Sequence, residues 1–485
     1  MARPLNVLFL WSDQQRADAL GASGNPRLRT PHLDRLAATG ALFEQAYCPQ
    51  PVCSPTRASA LTGLYPHTHG VRRCNLVLSP TVPTVAELLR ARGYTGGYVG
   101  KWHLGFELRP QRGFDDFWSS TEDQYTHFDA GASEGTSAYH RFLTARGYVP
   151  RDQGRLGFPI FNRETAARLP EEVGKPAFIA RECVRFLEAN RDRPFILSAN
   201  FLEPHFPFFG PSDGMYDPAD VELPRSWYGE LEPGVPRHYR LLRREYATRN
   251  PHVASNDERG WQDLTARYWG LCSLVDRHAG RVLQRLEELG LAEHAIVVYT
   301  SDHGDMMGQL RMVTKSVQFE GATRVPFLLR VPGLAPRRLA TPVSLVDLTP
   351  TLLDLVGLPV PGHMQGRSLA PLLREGDGAL GQAPDEAEVV IEWNEWDGIR
   401  QVWDPSRGVA DPGELAPPSI DARTIRRGRW KLSRYATGEA ELYDLRADPE
   451  ETHNAVREPE QAAVVADLDA RLRRWQRATG DTLAL

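Results

Sequence analysis

The stretch Asn6-Val7-Leu8-Phe9-Leu10-Trp11-Ser12, closed by Asp13-Gln14, decides the fold. A near-continuous apolar run suits a central strand covered on both faces, and the change to an acid and an amide marks where ligands can begin. The run is too short to span a bilayer and lacks the long apolar region and cleavage site of a signal peptide. Working outward, helical patterns at 33–38 and 85–91 lead to a short strand at 94–99. A helix over 177–190, with Phe178, Val184 and Leu187 as its inward stripe, precedes a strand at 195–200. The longest helical pattern, 264–289, stops at Gly290 before a core strand at 295–300, and a further helix is expected over 344–355. Strands alternating with helices predict an α/β layered core whose sites lie just past the strand ends.

At 485 residues the chain exceeds the usual single-domain size. Beyond about residue 375 the composition turns to acidic and Pro/Gly-rich patches, so the expected division is a site-bearing domain at 1–375 and a smaller α+β part at 376–485. Strands at 389–393 and 430–434 with a helix at 460–477 suggest a small antiparallel sheet carrying one packed helix. Fifty-seven Lys plus Arg against 62 Asp plus Glu, a net charge of -5 with no long basic run, argue against a nucleic-acid partner. Five cysteines, Cys48, Cys53, Cys74, Cys183 and Cys272, are odd in number and lack finger-like spacing. A disulfide through Cys53 stays open, although it would disable the chemistry below. No stretch is long and apolar enough for a membrane span, so the expected location is cytoplasmic.

In Cys53-Ser54-Pro55-Thr56-Arg57, the proline suits a first helical turn, and the helix start with Arg57 favours an anion and lowers a thiol pKa. Alone, this could be a thiol phosphatase or a structural cysteine. Asp13-Gln14 and Asp302-His303 each follow a strand. Together they offer two carboxylates, an amide oxygen and an imidazole to a divalent cation, or else serve as polar strand ends and caps. Lys101 and His103, one residue apart on an extended stretch, would point to the same side and face one anion. Otherwise they are a solvated lysine and a histidine satisfied by backbone. His205 sits in the proline-stiffened turn Glu203-Pro204-His205-Phe206-Pro207, and Lys315 in isolation reads as an ordinary surface lysine. Asn75, in Arg72-Arg73-Cys74-Asn75, can donate to an anion or cap a turn. Glu392, Trp393, Trp396 and Arg400 fit a substrate entrance or a core sheet edge equally, and Tyr216 and Trp227 read as packing.

Cys53 to Arg57, continued by Ala58-Ser59-Ala60-Leu61-Thr62-Gly63, resembles the activation signature of type I formylglycine-dependent sulfatases of the alkaline phosphatase superfamily. The resemblance extends through Gly304, Lys315-Ser316-Val317-Gln318-Phe319-Glu320, Arg324-Val325-Pro326 and Glu441-Leu442-Tyr443-Asp444-Leu445, covering nearly the whole chain. It implies an alkaline-phosphatase-like α/β fold: a large mixed sheet sandwiched by helices, with a smaller C-terminal antiparallel-sheet domain. It further implies that a formylglycine-generating enzyme oxidises Cys53 to 3-oxoalanine (formylglycine), whose hydrate is the nucleophile. By resemblance, Asp13, Gln14, Cys53, Asp302 and His303 hold one divalent cation. Calcium is the family default, and the imidazole ligand keeps manganese open. Arg57 would stabilise the aldehyde-bearing loop, Lys101 and His103 would orient the hydrate, and His205 or Lys315 would protonate the leaving oxygen. Asn75, Lys101, His205 and Lys315 would bind the transferred group. Gln14 and His303 resemble the branch of phosphonate monoester hydrolases and choline-sulfatase-like enzymes, whereas the Lys-x-His arrangement looks more like sulfatases. The expected activity is hydrolysis of a small sulfate ester. Phosphonate monoester or phosphodiester hydrolysis by the same nucleophile is the alternative, and a non-catalytic binding protein with an unmodified Cys53 is the reading from another class. A homo-oligomer is compatible with each.

Overall fold

A computed structural model describes residues 4–123, 135–154, 159–232, 234–248, 250, 252–394 and 420–485. Among them, eight strands form the main sheet: β1 (Asn6–Asp13), β2 (Ala41–Phe43), β3 (Thr95–Gly100), β4 (Phe117–Ser120), β5 (Phe195–Pro204), β6 (Ala295–Ser301), β7 (Phe327–Arg330) and β8 (Arg337–Leu339). Their order is β8-β2-β7-β6-β1-β5-β3-β4. β1 lies between β5 and β6 and is parallel to both, while β7 runs antiparallel to β6 and β2, which makes the sheet mixed.

Strand periodicity explains the layering. Val7, Phe9 and Trp11 of β1 enter one core with Ile196, Val298 and Phe327, under the helices Cys53–Thr62, Val85–Arg90 and Leu348–Leu355. Leu8 and Leu10 enter the other with Leu197, Val297 and Tyr299, under Pro31–Thr39, Lys175–Ala189 and Glu258–Glu288. Each such fully buried side chain contributes about 1.5–3 kcal/mol, which fixes the strand register because a slip of one residue would exchange the two cores.

Two local expectations change. The helical run expected over 344–355 opens as a 3-10 turn at Leu345–Asp347 before the α-helix Leu348–Leu355, with Ser344, paired as a short strand with Tyr47, as its cap. In helix Lys175–Ala189, Val184 is only half-buried, and Cys183 and Phe186 join Phe178 and Leu187 on the inward face.

The strands Glu388–Trp393, Ala422–Arg427, Trp430–Tyr435 and Ala440–Asp444 form an antiparallel sheet. Helix Ala462–Thr479 covers it, packing Leu468 and Leu472 on Val390, Ile425, Leu432 and Leu442. Glu392 and Trp393 are buried within this sheet, and Trp396 and Arg400 lie outside the described residues. Tyr216 and Trp227 are buried in a third apolar cluster, as packing residues should be. All five cysteines are free thiols. Among the described residues, no helix is long and apolar enough to cross a membrane.

Candidate active site

The parallel pairing of β1 with β6 aligns Ser12 with Ser301, so Asp13 and Asp302 leave the sheet side by side. Arg57, reaching from helix Cys53–Thr62, joins them: Nη2 donates to Asp13 Oδ2 at 3.1 Å and Nε to Asp302 Oδ2 at 3.0 Å. Its Nη1 donates to Lys101 O at 3.1 Å and to Asn200 Oδ1 at 3.3 Å. Lys101 Nζ donates to the same Asp13 Oδ2 at 2.6 Å. One oxygen of each carboxylate is thus taken by cationic side chains, and the other turns toward Cys53 and His303. Asp13 Oδ1 lies 3.7 Å from Cys53 Sγ, and His303 Nε2 lies 3.6 Å from Asp302 Oδ1 and 3.2 Å from Cys53 Sγ. His303 Nδ1 is 2.9 Å from the carbonyl of Gly304, to which its N–H donates, and this orients Nε2 toward Cys53 and Asp302.

The donor atoms of Asp13, Cys53, Asp302 and His303 all fall within 4.8 Å of one another and are buried. Two carboxylates, an oriented imidazole and the side chain at position 53 fit a divalent cation. The electrostatics agree. Burial and the charge of Asp13 push Asp302 up to about 6. Asp13, against burial and the Cys53 charge, is held below the usual carboxylate range by Lys101, His205 and Arg57. Two carboxylates in a dry site resist full ionisation until positive charge arrives. Gln14 adjoins this cluster, but its amide is held elsewhere: Oε1 accepts from Lys315 Nζ, and Nε2 donates to Asp305 Oδ2 at 2.6 Å.

Cys53 is the first residue of its helix, which Gly63 ends in the left-handed conformation at φ 70°. Burial alone would raise the Cys53 thiol, yet its hydrogen bond with Cys74 and the charges of Lys101, Lys315 and His303 hold it well below the ordinary value. Gly100 lets the end of β3 lie close on β5, since a Cβ there would stand 2.0 Å from the carbonyl oxygen of Asn200, which accepts the backbone N–H of Lys101.

The extended stretch expected through Lys101 and His103 is absent. The chain leaves β3 at Gly100 and bends, with His103 at φ 60°. Buried Glu107 holds that bend by accepting the backbone N–H groups of Trp102 at 2.8 Å and His103 at 3.0 Å. Lys101 and His103 nevertheless both reach the Cys53 neighbourhood, by a turn rather than by alternation. His103 Nε2 lies 3.1 Å from Asn75 Oδ1, and burial with the Lys101 charge pushes the ring down to about 4. Gln14 and Asn75 also take positive φ, 70° and 62°. Such conformations cost roughly 1–2 kcal/mol each in non-glycine residues and persist only where neighbours over-determine them.

His205 follows β5, with its ring centre 4.0 Å from that of Phe206 and Nδ1 2.8 Å from Phe206 O and 3.3 Å from Arg163 Nη1. Burial, then Lys315 and Arg163, hold its pKa well below 6.5, so the ring is neutral. Lys315, half-buried, places Nζ 5.5 Å from the centre of the Phe206 ring. The structure therefore gathers Asp13, Cys53, Arg57, Lys101, Asp302 and His303 tightly, sets Gln14, Asn75, His103 and Lys315 against them, and brings His205 into electrostatic reach of Asp13. Asp305, Glu107, Asn200, Arg163 and Cys74 support the same site without having been singled out. Asp305 and Cys74 stand within or beside quoted motifs, which was the available signal.

A family model described as Sulfatase matches residues 5–358, and one described as N-sulphoglucosamine sulphohydrolase, C-terminal, matches residues 308–411. The chain is 28% identical over 493 residues to the Ulvan-active sulfatase of Formosa agariphila, covering 98% of this chain and 82% of that protein. It is 30% identical over 461 residues to the uncharacterized sulfatase YidJ of Escherichia coli, covering 94% and 84%. Among solved structures, the phosphonate monoester hydrolase of Agrobacterium radiobacter superposes with a TM-score of 0.75 at 26% identity, covering 98% of this chain and 96% of that one.

Proposed function

Because the chain belongs to the sulfatase family and is a sulfatase-type hydrolase, we propose that it cleaves a small sulfate ester through a formylglycine hydrate formed at Cys53. The observation that carries this reading is the convergence of the Cys53 side chain with Asp13, Asp302 and His303 within 4.8 Å, beside Arg57 at a helix start.

A formylglycine-generating enzyme, supplied with an external oxidant, converts the thiol-bearing carbon to an aldehyde with loss of the sulfur, and water adds to give two hydroxyls on one carbon. Asp13, Asp302, His303 and the oxygen at position 53, with Gln14 adjoining, would hold one cation, calcium by its oxygen donors or manganese by its imidazole. Bound there, the cation supplies Lewis-acid stabilisation of negative charge developing on oxygen.

One hydrate oxygen attacks sulfur, the bond from sulfur to the alcohol oxygen breaks, and that oxygen takes a proton from His205 or Lys315. His205 is neutral before substrate arrives; an entering anion favours its protonated form and makes it an acid. Lys101 and Lys315 balance the charge on the sulfuryl oxygens, Asn75 donates to them, and His103 orients the hydrate. The second hydroxyl then loses its proton, the carbonyl re-forms, and the carbon–oxygen bond to sulfate breaks. Sulfate leaves without hydrolysis of a stable covalent ester.

Phosphonate monoester hydrolysis is the second reading, favoured by the Gln14 and His303 pair and by the likeness to the Agrobacterium radiobacter enzyme. Parallel kcat/KM measurements with aryl sulfates, alkyl sulfates and phosphonate monoesters separate the two. A sulfate ester should lead; preference for phosphorus over every sulfate tested would overturn the assignment.

A further inference from the structure

Besides the set of Asp13, Asp302 and His303, Cys53 also meets Cys74 and His103, whose ligand atoms lie within 4.8 Å of each other and of Cys53 Sγ. We propose that the chain carrying cysteine at position 53 has a second metal site, formed by Cys53, Cys74 and His103, which takes Zn2+.

The donor chemistry separates this set from its neighbour. Asp13, Asp302 and His303 present two hard carboxylates beside one borderline imidazole, a set weighted toward oxygen-loving cations. Two sulfurs and an imidazole form a soft set, and three protein ligands with one open position is a regular zinc arrangement. The two sulfurs lie within 4.8 Å of each other without any rearrangement of the chain. Outer contacts orient the imidazole as ligating histidines require: Asn75 Oδ1 is 3.1 Å from His103 Nε2, and Glu107 fixes the His103 backbone. Asn75 directly follows Cys74, so one short segment supplies a ligand and the group that holds another. Cys74 is half-buried, whereas Cys53 and His103 are buried.

The two sets share a single atom, the sulfur of residue 53. A zinc ion on the soft side occupies that sulfur, and replacing the sulfur by oxygen leaves only Cys74 and His103, too few soft ligands to retain the ion. Zinc and oxidative conversion at position 53 are therefore mutually exclusive, and zinc would mark chains that have not been converted. The site rests on the cysteine form alone, so it holds or fails independently of the hydrolytic reading.

The test uses full-length protein produced without the maturation enzyme, with the sulfhydryl at position 53 verified by mass, titrated with Co2+ as a spectroscopic substitute and then with Zn2+. The expected result is one saturable site with a near-ultraviolet thiolate-to-cobalt band, erased by stoichiometric Zn2+. Cys74→Ser and Cys74→Ala, both checked for an unchanged melting temperature, should lose about half the band and weaken Co2+ binding by roughly 100-fold or more, since losing even an outer partner costs about 10–100-fold. A band and affinity unchanged in both variants, or no thiolate band in the parent protein, would overturn the proposal.

Discussion

Two buried charge networks in this molecule differ in whether they are closed. Where the C-terminal sheet meets the main domain, Lys431 Nζ donates to Glu451 Oε1 at 2.7 Å and Glu320 Oε1 at 3.1 Å. Tyr47 donates to Glu320 Oε2, Arg426 donates to Tyr47, and the backbone N–H of Glu320 donates to Glu451 Oε2. Two carboxylates face two cations, and each has a hydrogen-bonded partner within the network. At the end of β1 and β6, Arg57 and Lys101 already balance Asp13 and Asp302, yet Lys315 adds another cationic side chain, and Asp13 Oδ1, facing the Cys53 thiol, keeps acceptor capacity. The first network is an internal fastener. On the proposed function, the second receives a cation and then an anion. Burial of charge alone does not mark a functional site; a surplus left over after internal pairing does.

That contrast predicts that damage to the open network costs turnover and damage to the closed one costs stability. Cys53→Ala should lower kcat by on the order of 10⁶-fold, the scale of removing a covalent nucleophile, with an unchanged unfolding midpoint. Survival of turnover would place the chemistry elsewhere. Dialysis against a chelator should abolish nearly all activity, and Ca2+ or Mn2+ should restore it; full activity without added metal after verified depletion would contradict the open-network reading. His205→Ala should cost about 10²–10⁴-fold in kcat, less for substrates with acidic leaving groups, and a uniform loss across leaving groups would remove its role as acid.

Lys431→Met strands two buried carboxylates and should cost about 3–5 kcal/mol of unfolding free energy in urea, with kcat of the folded enzyme retained. The smallest effect concerns pH. Burial holds His238 at about 3, below its ordinary 6.5, so the fold requires the neutral ring. Its contribution is fully present above pH 6.5 and is lost as pH falls from there toward 3. His238→Gln should flatten the melting temperature between pH 6.5 and 4, and an unchanged slope would exclude it as a source of acid sensitivity.

What was legible in the sequence was local. The apolar run ending at Asp13, the pair after the strand at 295–300 and the segment from Cys53 to Arg57 each announce themselves within a few residues, and strand pairing converts them into one site. What was not legible depends on distant partners. Gln14 is clamped by Asp305, 291 positions away, and nothing in either motif encodes that contact. The bend at His103 escaped because a positive φ in a non-glycine residue is imposed by its surroundings, here by Glu107, and propensity argues against it. The helical run over 344–355 was legible, and only its first turn, a 3-10 turn at Leu345–Asp347 capped by the strand-paired Ser344, departs from an α-helix. Cys183 and Phe186 were missed because the apolar stripe was drawn through Val184, which lies about 100° around the helix from Cys183, at the margin of the face that packing buries.

The most direct test is peptide mass spectrometry of residue 53 in enzyme of full specific activity, with hydrazine capture of aldehydes. The expected result is 3-oxoalanine at that position, in a fraction that tracks specific activity across preparations. Fully active protein retaining a free sulfhydryl at Cys53 would contradict the mechanism at its first step.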